Sequence, residues 1–167
     1  MQHKKISEHR FREEFGLYYE DCVVGDTYEH WPGRTIIEAD NVWQSLLCLN
    51  NHPLHINQDY AKKTEFGQIV VSSLVTFCVV NGMTVNTLSA RAIANLGWDK
   101  VRLLQPVFVN DTLYAESTIL DKRLSRSRKG QGIVTAKTIG LNQNKEVVIS
   151  FERTFLLPLK SESDDGA

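Results

Sequence analysis

Six consecutive residues near the middle of the chain, Asn50-Asn51-His52-Pro53-Leu54-His55, put two imidazoles and two carboxamides around a proline. Histidine titrates near neutral pH, so His55 is suited to take a proton from a water molecule and to return one. Asn50 cannot accept a proton, but its amide oxygen can hold that water while its NH₂ group donates elsewhere. An apolar stretch opens shortly afterwards at Val71. The first amides of a helix starting there would be unpaired and partly positive, which suits an oxygen on which negative charge develops. Ser72 and Ser73 stand at that start and serve either as oxyanion partners or as N-terminal caps. Asn50 reads equally as a helix C-cap, and His52 reads as structural.

These groups have to be positioned by the elements on either side. Gly16–Asp26 ends in a Gly-Asp turn signal. Tyr28 to Ile37 reads as a strand that Pro32 and Gly33 make irregular or place at a sheet edge. A helix starts at Glu38-Ala39-Asp40 with Asp40 as N-cap; Val42, Trp43, Leu46, Leu47 and Leu49 supply an apolar face at helical spacing. Pro53 is expected to end it. Gln58 to Lys63 forms a short helical stretch, and Val71 to about Leu88 a helix apolar on most sides and therefore buried. After Arg91 the pattern turns extended, with strands over Ile93–Leu104, Thr112–Leu124, Ile133–Leu141 and Val147–Leu157. In the last of these, Val147, Ile149, Phe151 and Phe155 alternate with polar residues. This order specifies an α+β fold, an antiparallel sheet with its helices on one side. Residues 1–14 are expected as a loose arm, 15–159 as the domain and 160–167 as a flexible tail.

Composition narrows the function. A chain of 167 residues with 42% apolar content fills one core. Nineteen Lys and Arg against twenty Asp and Glu leave a net charge of −1, which gives no global field for nucleic acid or an anionic membrane. Cys22, Cys48 and Cys78 form no CxxC pair, which argues against a disulfide framework or a zinc site and for a reducing, cytoplasmic setting. The N-terminus lacks the apolar segment of a secretory signal, and the apolar run Ile69–Val80 is too short to span a bilayer.

The motif Pro53-Leu54-His55 followed by Tyr60-Ala61 resembles the MaoC-like (R)-specific enoyl-CoA hydratase family of hot-dog folds, in which an antiparallel sheet wraps a long buried helix. The resemblance runs from about Phe15 to Leu159 and aligns His55 with the family's catalytic histidine. The chain departs from the family at three places: Asn50 replaces an aspartate, His52 replaces an asparagine, and Ser72-Ser73 replace His-Gly. With Asn95-Leu96-Gly97-Trp98-Asp99 and the run Pro106–Ser117, these departures resemble the mesaconyl-CoA and itaconyl-CoA hydratase branch. The resemblance implies hydration of a short dicarboxylic enoyl-CoA thioester without metal or redox cofactor, coenzyme A being part of the substrate. Asn50 and His55 would handle the water and the protons, and the amide near Ser73 the enolate oxygen. Arg34, Arg91 and Arg102 are candidates for the distal carboxylate, Arg34 being preferred because it precedes the helix leading to Asn50. The hairpin carrying Lys122, Arg123, Arg126, Arg128 and Lys129 could meet CoA phosphates or be a solvated tip. Two other readings use the same elements: a hot-dog thioesterase, and a non-catalytic acyl-binding module. An open sheet edge predicts a homodimer at least.

Overall fold

A computed structural model describes residues 2–160; the expected flexible tail, apart from Lys160, lies outside them. The sheet has five strands in the order β3-β5-β6-β7-β4, all neighbours antiparallel: β3 Thr27–Thr35, β4 Ala94–Leu103, β5 Thr112–Leu124, β6 Gln131–Leu141 and β7 Val147–Pro158. The alternation seen in the sequence holds in β5 and β6, whose every second residue from Leu113 to Ile119 and from Gly132 to Gly140 faces inward. β3 lies at one edge, and its register breaks between His30 and Arg34, where Pro32 cannot donate to the ladder. Where a loose arm was expected, Gln2–Ser7 (β1) and Arg10–Glu14 (β2) pair as a separate antiparallel hairpin.

Four helices fill the connection between β3 and β4: α1 Glu38–Leu47, α2 Pro53–Ile56, α3 Gln58–Lys62 and α4 Ser73–Met83, the last followed by a π-helical turn over Val85–Ser89. α4 lies against the concave side of the sheet, with Val75 and Val80 packed among Leu113, Ala115, Ile149 and Phe151. Within the π-helical turn, Leu88 joins a second cluster with Ile119, Val134 and Leu157. The contact with the sheet is close: a Cβ on Gly140 would stand 2.6 Å from Ile149 and 2.7 Å from Val80. On its other side, however, Leu74, Cys78 and Gly82 are exposed along one line.

α1 departs most from expectation. Its apolar residues point outward, with Trp43 68%, Leu47 74% and, just past the helix, Leu49 82% exposed, while Asn41 and Ser45, one turn apart, face inward and are buried. Asp40 is not the N-cap. It sits at the third helical position and its carboxylate accepts from the Ile37 N–H at 3.0 Å, the reverse half of a capping box. Nor does Pro53 end the helix. Leu49 takes the left-handed conformation (φ 56°), and the bonds Leu49 N–H to Leu46 O and Asn50 N–H to Ser45 O close a Schellman motif. Pro53 instead opens α2, at the position where its missing N–H costs nothing.

One buried polar chain crosses the core. His30 Nε2 lies 2.8 Å from Ser117 Oγ, which lies 2.7 Å from Thr138 Oγ1, and His30 Nδ1 has no partner. Burial pushes the His30 pKa down to about 4. Between about pH 6.5, where an unfolded histidine titrates, and that lowered value, the unfolded chain binds a proton that the folded chain does not. Stability should therefore be fully present above this window and fall as the pH drops through it, by on the order of 3 kcal/mol in all. Urea denaturation at neutral and mildly acidic pH should show this loss in the wild type and a smaller one in His30→Gln.

Candidate active site

Asn50 and His55 are both tied to the short segment that leads into α4. The Schellman turn at Leu49 delivers Asn50, whose Nδ2 donates to Ser72 Oγ at 3.2 Å and whose Oδ1 accepts from the His52 N–H at 3.4 Å. His55 lies in α2, half-buried, with Nδ1 2.8 Å from the carbonyl oxygen of Val70. A carbonyl can only accept, so Nδ1 carries the proton and the neutral ring leaves its lone pair on Nε2. Val70 is itself held by an antiparallel bridge to Phe108, and Val71 N–H donates to Val107 O at 2.8 Å.

Ser72 is the N-cap residue of α4 and Ser73 its first helical residue. The first helical bond is made by the Thr76 N–H to Ser72 O, and the Ser72 side chain does not cap the amides of the first turn. The first turn thus keeps the unpaired donors and positive dipole end expected of a helix N-terminus. A cleft of about 280 Å³ runs beside it, lined by Phe66, Val70, Ser73, Thr76 and the Leu103–Val107 connection. His52 has the structural part expected of it: its Nδ1 accepts from the Leu54 N–H at 3.2 Å and caps α2.

Sequence reasoning missed Asn41. Fully buried, it donates from Nδ2 to His55 O at 2.7 Å and accepts at Oδ1 from the Ser72 N–H at 2.8 Å. A signal was present, since Asn41 and Ser45 stand at i, i+4 and must share one face of any helix drawn through them.

A larger groove of about 760 Å³ separates α1 from the open side of α4. Trp43, Leu47, Val75, Val79 and Met83 give it apolar walls, while Gln44 and Arg34 supply polar groups. Gln44 Nε2 lies 3.5 Å from Cys48 Sγ and 3.7 Å from Cys78 Sγ. Arg34 is paired through Nη2 with Asp40 Oδ1, and its side chain remains 55% exposed.

The other cations fall elsewhere. Arg91 reaches Glu14 and Tyr18. Arg102 bonds its neighbour's carbonyl, Val101 O, and is exposed. The basic hairpin joining β5 to β6 lies beyond the Ile119–Val134 end of the core, whereas α4 starts at the Val107–Leu113 end. Lys122 is also committed: its Nζ donates to Cys22 O at 2.6 Å and to Tyr19 O at 3.3 Å. Of the two readings of this hairpin, the geometry supports the solvated tip and not a partner for groups bound at Ser73.

A family model described as mesaconyl-CoA hydratase matches residues 3–167. The chain belongs to the mesaconyl-CoA hydratase family. Within that family, the mesaconyl-CoA hydratase of Cereibacter sphaeroides is 36% identical over 138 residues, which is 83% of this chain and 40% of that protein. The chain thus spans about two fifths of the length of that relative. Among solved structures, a MaoC-like dehydratase from Rhodospirillum rubrum is 25% identical with a TM-score of 0.77, covering 87% of this chain and 99% of that one. A Mycobacterium tuberculosis protein described as having a double hotdog fold superimposes with a TM-score of 0.79 at 20% identity, covering 88% of this chain and 46% of that one. The expected MaoC-like hot-dog fold, with its sheet around a central helix, is the fold this family member has.

Proposed function

We propose that this chain supplies the catalytic unit of an enoyl-CoA hydratase/dehydratase acting on a short, dicarboxylic thioester of the mesaconyl or itaconyl type. The observation that carries the reading is the convergence of Asn50 and His55 on the Val70–Ser72 segment, with the His55 lone pair on Nε2 and the uncapped first turn of α4 beside it. In the hydration direction His55 Nε2 takes a proton from water as the oxygen bonds to the β-carbon. The electron pair of the double bond moves toward the thioester carbonyl, giving an enolate. The amides at the start of α4, near Ser73, stabilise that enolate, and Ser72 Oγ anchors Asn50 so that its amide can orient the water. Loss of one such donor typically costs about 3 kcal/mol of transition-state stabilisation. The imidazolium then returns its proton to the α-carbon, so His55 carries both transfers in place of the aspartate that Asn50 replaces.

The groove between α1 and α4 suits a short acyl group, and Arg34 on its wall could meet a distal carboxylate by exchanging it for Asp40. The reading requires no metal or redox cofactor. Three cysteines without disulfide partners support a reducing compartment, the cytoplasm. Exposed Trp43, Leu46, Leu47 and Leu49 on and beside α1, together with Leu96 and Leu103 on the free edge strand, support self-association. Sedimentation should give a dimer or larger species, and a monomer at micromolar concentration would count against this part of the proposal. The deciding assay offers mesaconyl-CoA and crotonyl-CoA while enoyl absorbance and free thiol are both followed. Loss of absorbance alone is the expected result. Thiol release would make the protein a thioesterase, and silence in both channels an acyl-binding module.

A further inference from the structure

We infer that Asn41 is a positioning residue, holding the His55 loop in register with the first turn of α4 so that base and oxyanion donors meet one bound thioester. The inference rests on the hydration reading above. Two elements far apart in sequence meet in this carboxamide: Nδ2 donates to the His55 carbonyl at 2.7 Å, and Oδ1 accepts from the Ser72 N–H at 2.8 Å. His55 is thereby held twice, at its backbone by Asn41 and at its ring by Val70 O at 2.8 Å. Ser72 is also held twice, through its N–H by Asn41 and through its hydroxyl by Asn50 at 3.2 Å.

The chemistry requires an amide at this place. Asn41 is 0% exposed, and a buried group must find a donor for each acceptor it faces. A carboxamide offers one of each on a single rigid plane, whereas an ionised carboxylate offers only acceptors and would confront the His55 carbonyl. Packing alone does not account for the residue, because α1 turns its leucines outward and its Asn-Ser face inward. Nor does Asn41 hold the acyl group directly, since its side chain is wholly buried and both of its polar atoms are already paired.

The two arms of the test are Asn41→Leu, which removes both bonds while keeping the branching and number of side-chain heavy atoms, and Asn41→Asp, which can be switched. Protonated, the new carboxyl restores an O–H donor to His55 O and an acceptor to the Ser72 N–H; ionised, it restores only the acceptor. Burial raises such a carboxyl's pKa, so the switch falls in an accessible range. Hydration of mesaconyl-CoA is measured from about pH 5.5 to 8.5, as the ratio of variant to wild type at each pH and corrected for the folded fraction by near-UV circular dichroism. The ionisable groups on the surrounding elements, His52 and His55 on the loop, the Arg34–Asp40 pair, and Cys48 and Cys78, are common to both proteins and cancel in the ratio. Asn41→Leu should lose about 100-fold in kcat at every pH with KM within about threefold, the signature of misplacement and not of lost binding. Asn41→Asp should be similarly impaired at the alkaline end and recover at least about tenfold, relative to wild type, toward the acid end. If Asn41→Leu does not fold, Asn41→Asp decides alone. Folded variants with kcat within about threefold of wild type across the range, or a rise in KM at constant kcat, would overturn the inference. A wild type that does not hydrate the thioester would instead overturn the hydration reading.

Discussion

Replacing His55 by alanine is expected to lower kcat for hydration of a short enoyl-CoA by about 10²- to 10⁴-fold, the range over which a positioned general acid–base group acts. The effect should be large because, among the described residues, neither neighbouring candidate can take over: Asn50 cannot accept a proton, and Asp40 is committed to Arg34 and to the Ile37 amide. The same truncation also removes the bond from Nδ1 to Val70 O, so activity loss alone would not separate chemistry from stapling. His55→Asn makes that separation, because its NH₂ group can stand where Nδ1 stood and still donate to Val70 O, yet it has no basic nitrogen. Both variants should be inactive, with His55→Asn the more stable by about 1 kcal/mol, the net worth of one hydrogen bond. Initial rates with crotonyl-CoA and urea denaturation of the two variants provide the check. Near-full activity in either would refute His55 as the base.

The second large effect concerns stability. Phe151 on β7 is 1% exposed and meets Phe77 on α4 with ring centroids 5.1 Å apart, and Phe77 in turn meets Trp98 on β4 at 5.6 Å. These three rings couple the central helix to two adjacent strands. Phe151→Ala should cost about 3–5 kcal/mol, combining lost burial with a cavity that a helix held so closely to the sheet cannot collapse to fill. Against a total of about 5–15 kcal/mol for a typical domain, that is a drop of roughly 10 °C or more in melting temperature. Phe151→Leu keeps most of the volume and should cost clearly less. Thermal unfolding followed by circular dichroism tests both, and a shift of only a degree or two in Phe151→Ala would show that the ring cluster is not a stabilising element.

β5 and β6 were legible because their period of two is set by one buried face, and α4 was legible because few charges interrupt it. The candidate loop Asn50–His55 stood out through its residue chemistry taken together with the family resemblance of Pro53-Leu54-His55 and Tyr60-Ala61. α1 misled for a physical reason: periodicity reports which residues share a face, not which face turns inward. Its leucines line up as predicted, but the inward side is chosen by Asn41, whose two bonds need the interior, and the apolar stripe is left outside. Asp40 likewise reads as a helix start, yet an acid stabilises a first turn as well from the third position as from the cap. The N-terminal hairpin could not be read, because β1 and β2 bury almost nothing and so leave no alternating pattern. The basic hairpin, left open between two readings, shows the limit of charge counting, since which end of a central helix a turn occupies depends on topology.

The free edge of β4 has a consequence for the company this chain keeps while folding. Its register with β7 shifts between Asn95 and Gly97 and again between Asp99 and Arg102. Irregularities of this kind twist a strand and interrupt its row of donors and acceptors, so a straight foreign segment cannot zip along its length. β4 is therefore keyed: a strand carrying matching kinks can dock on it, while indiscriminate cross-linking into fibrils is discouraged by backbone geometry together with the exposed charges of Asp99, Lys100 and Arg102.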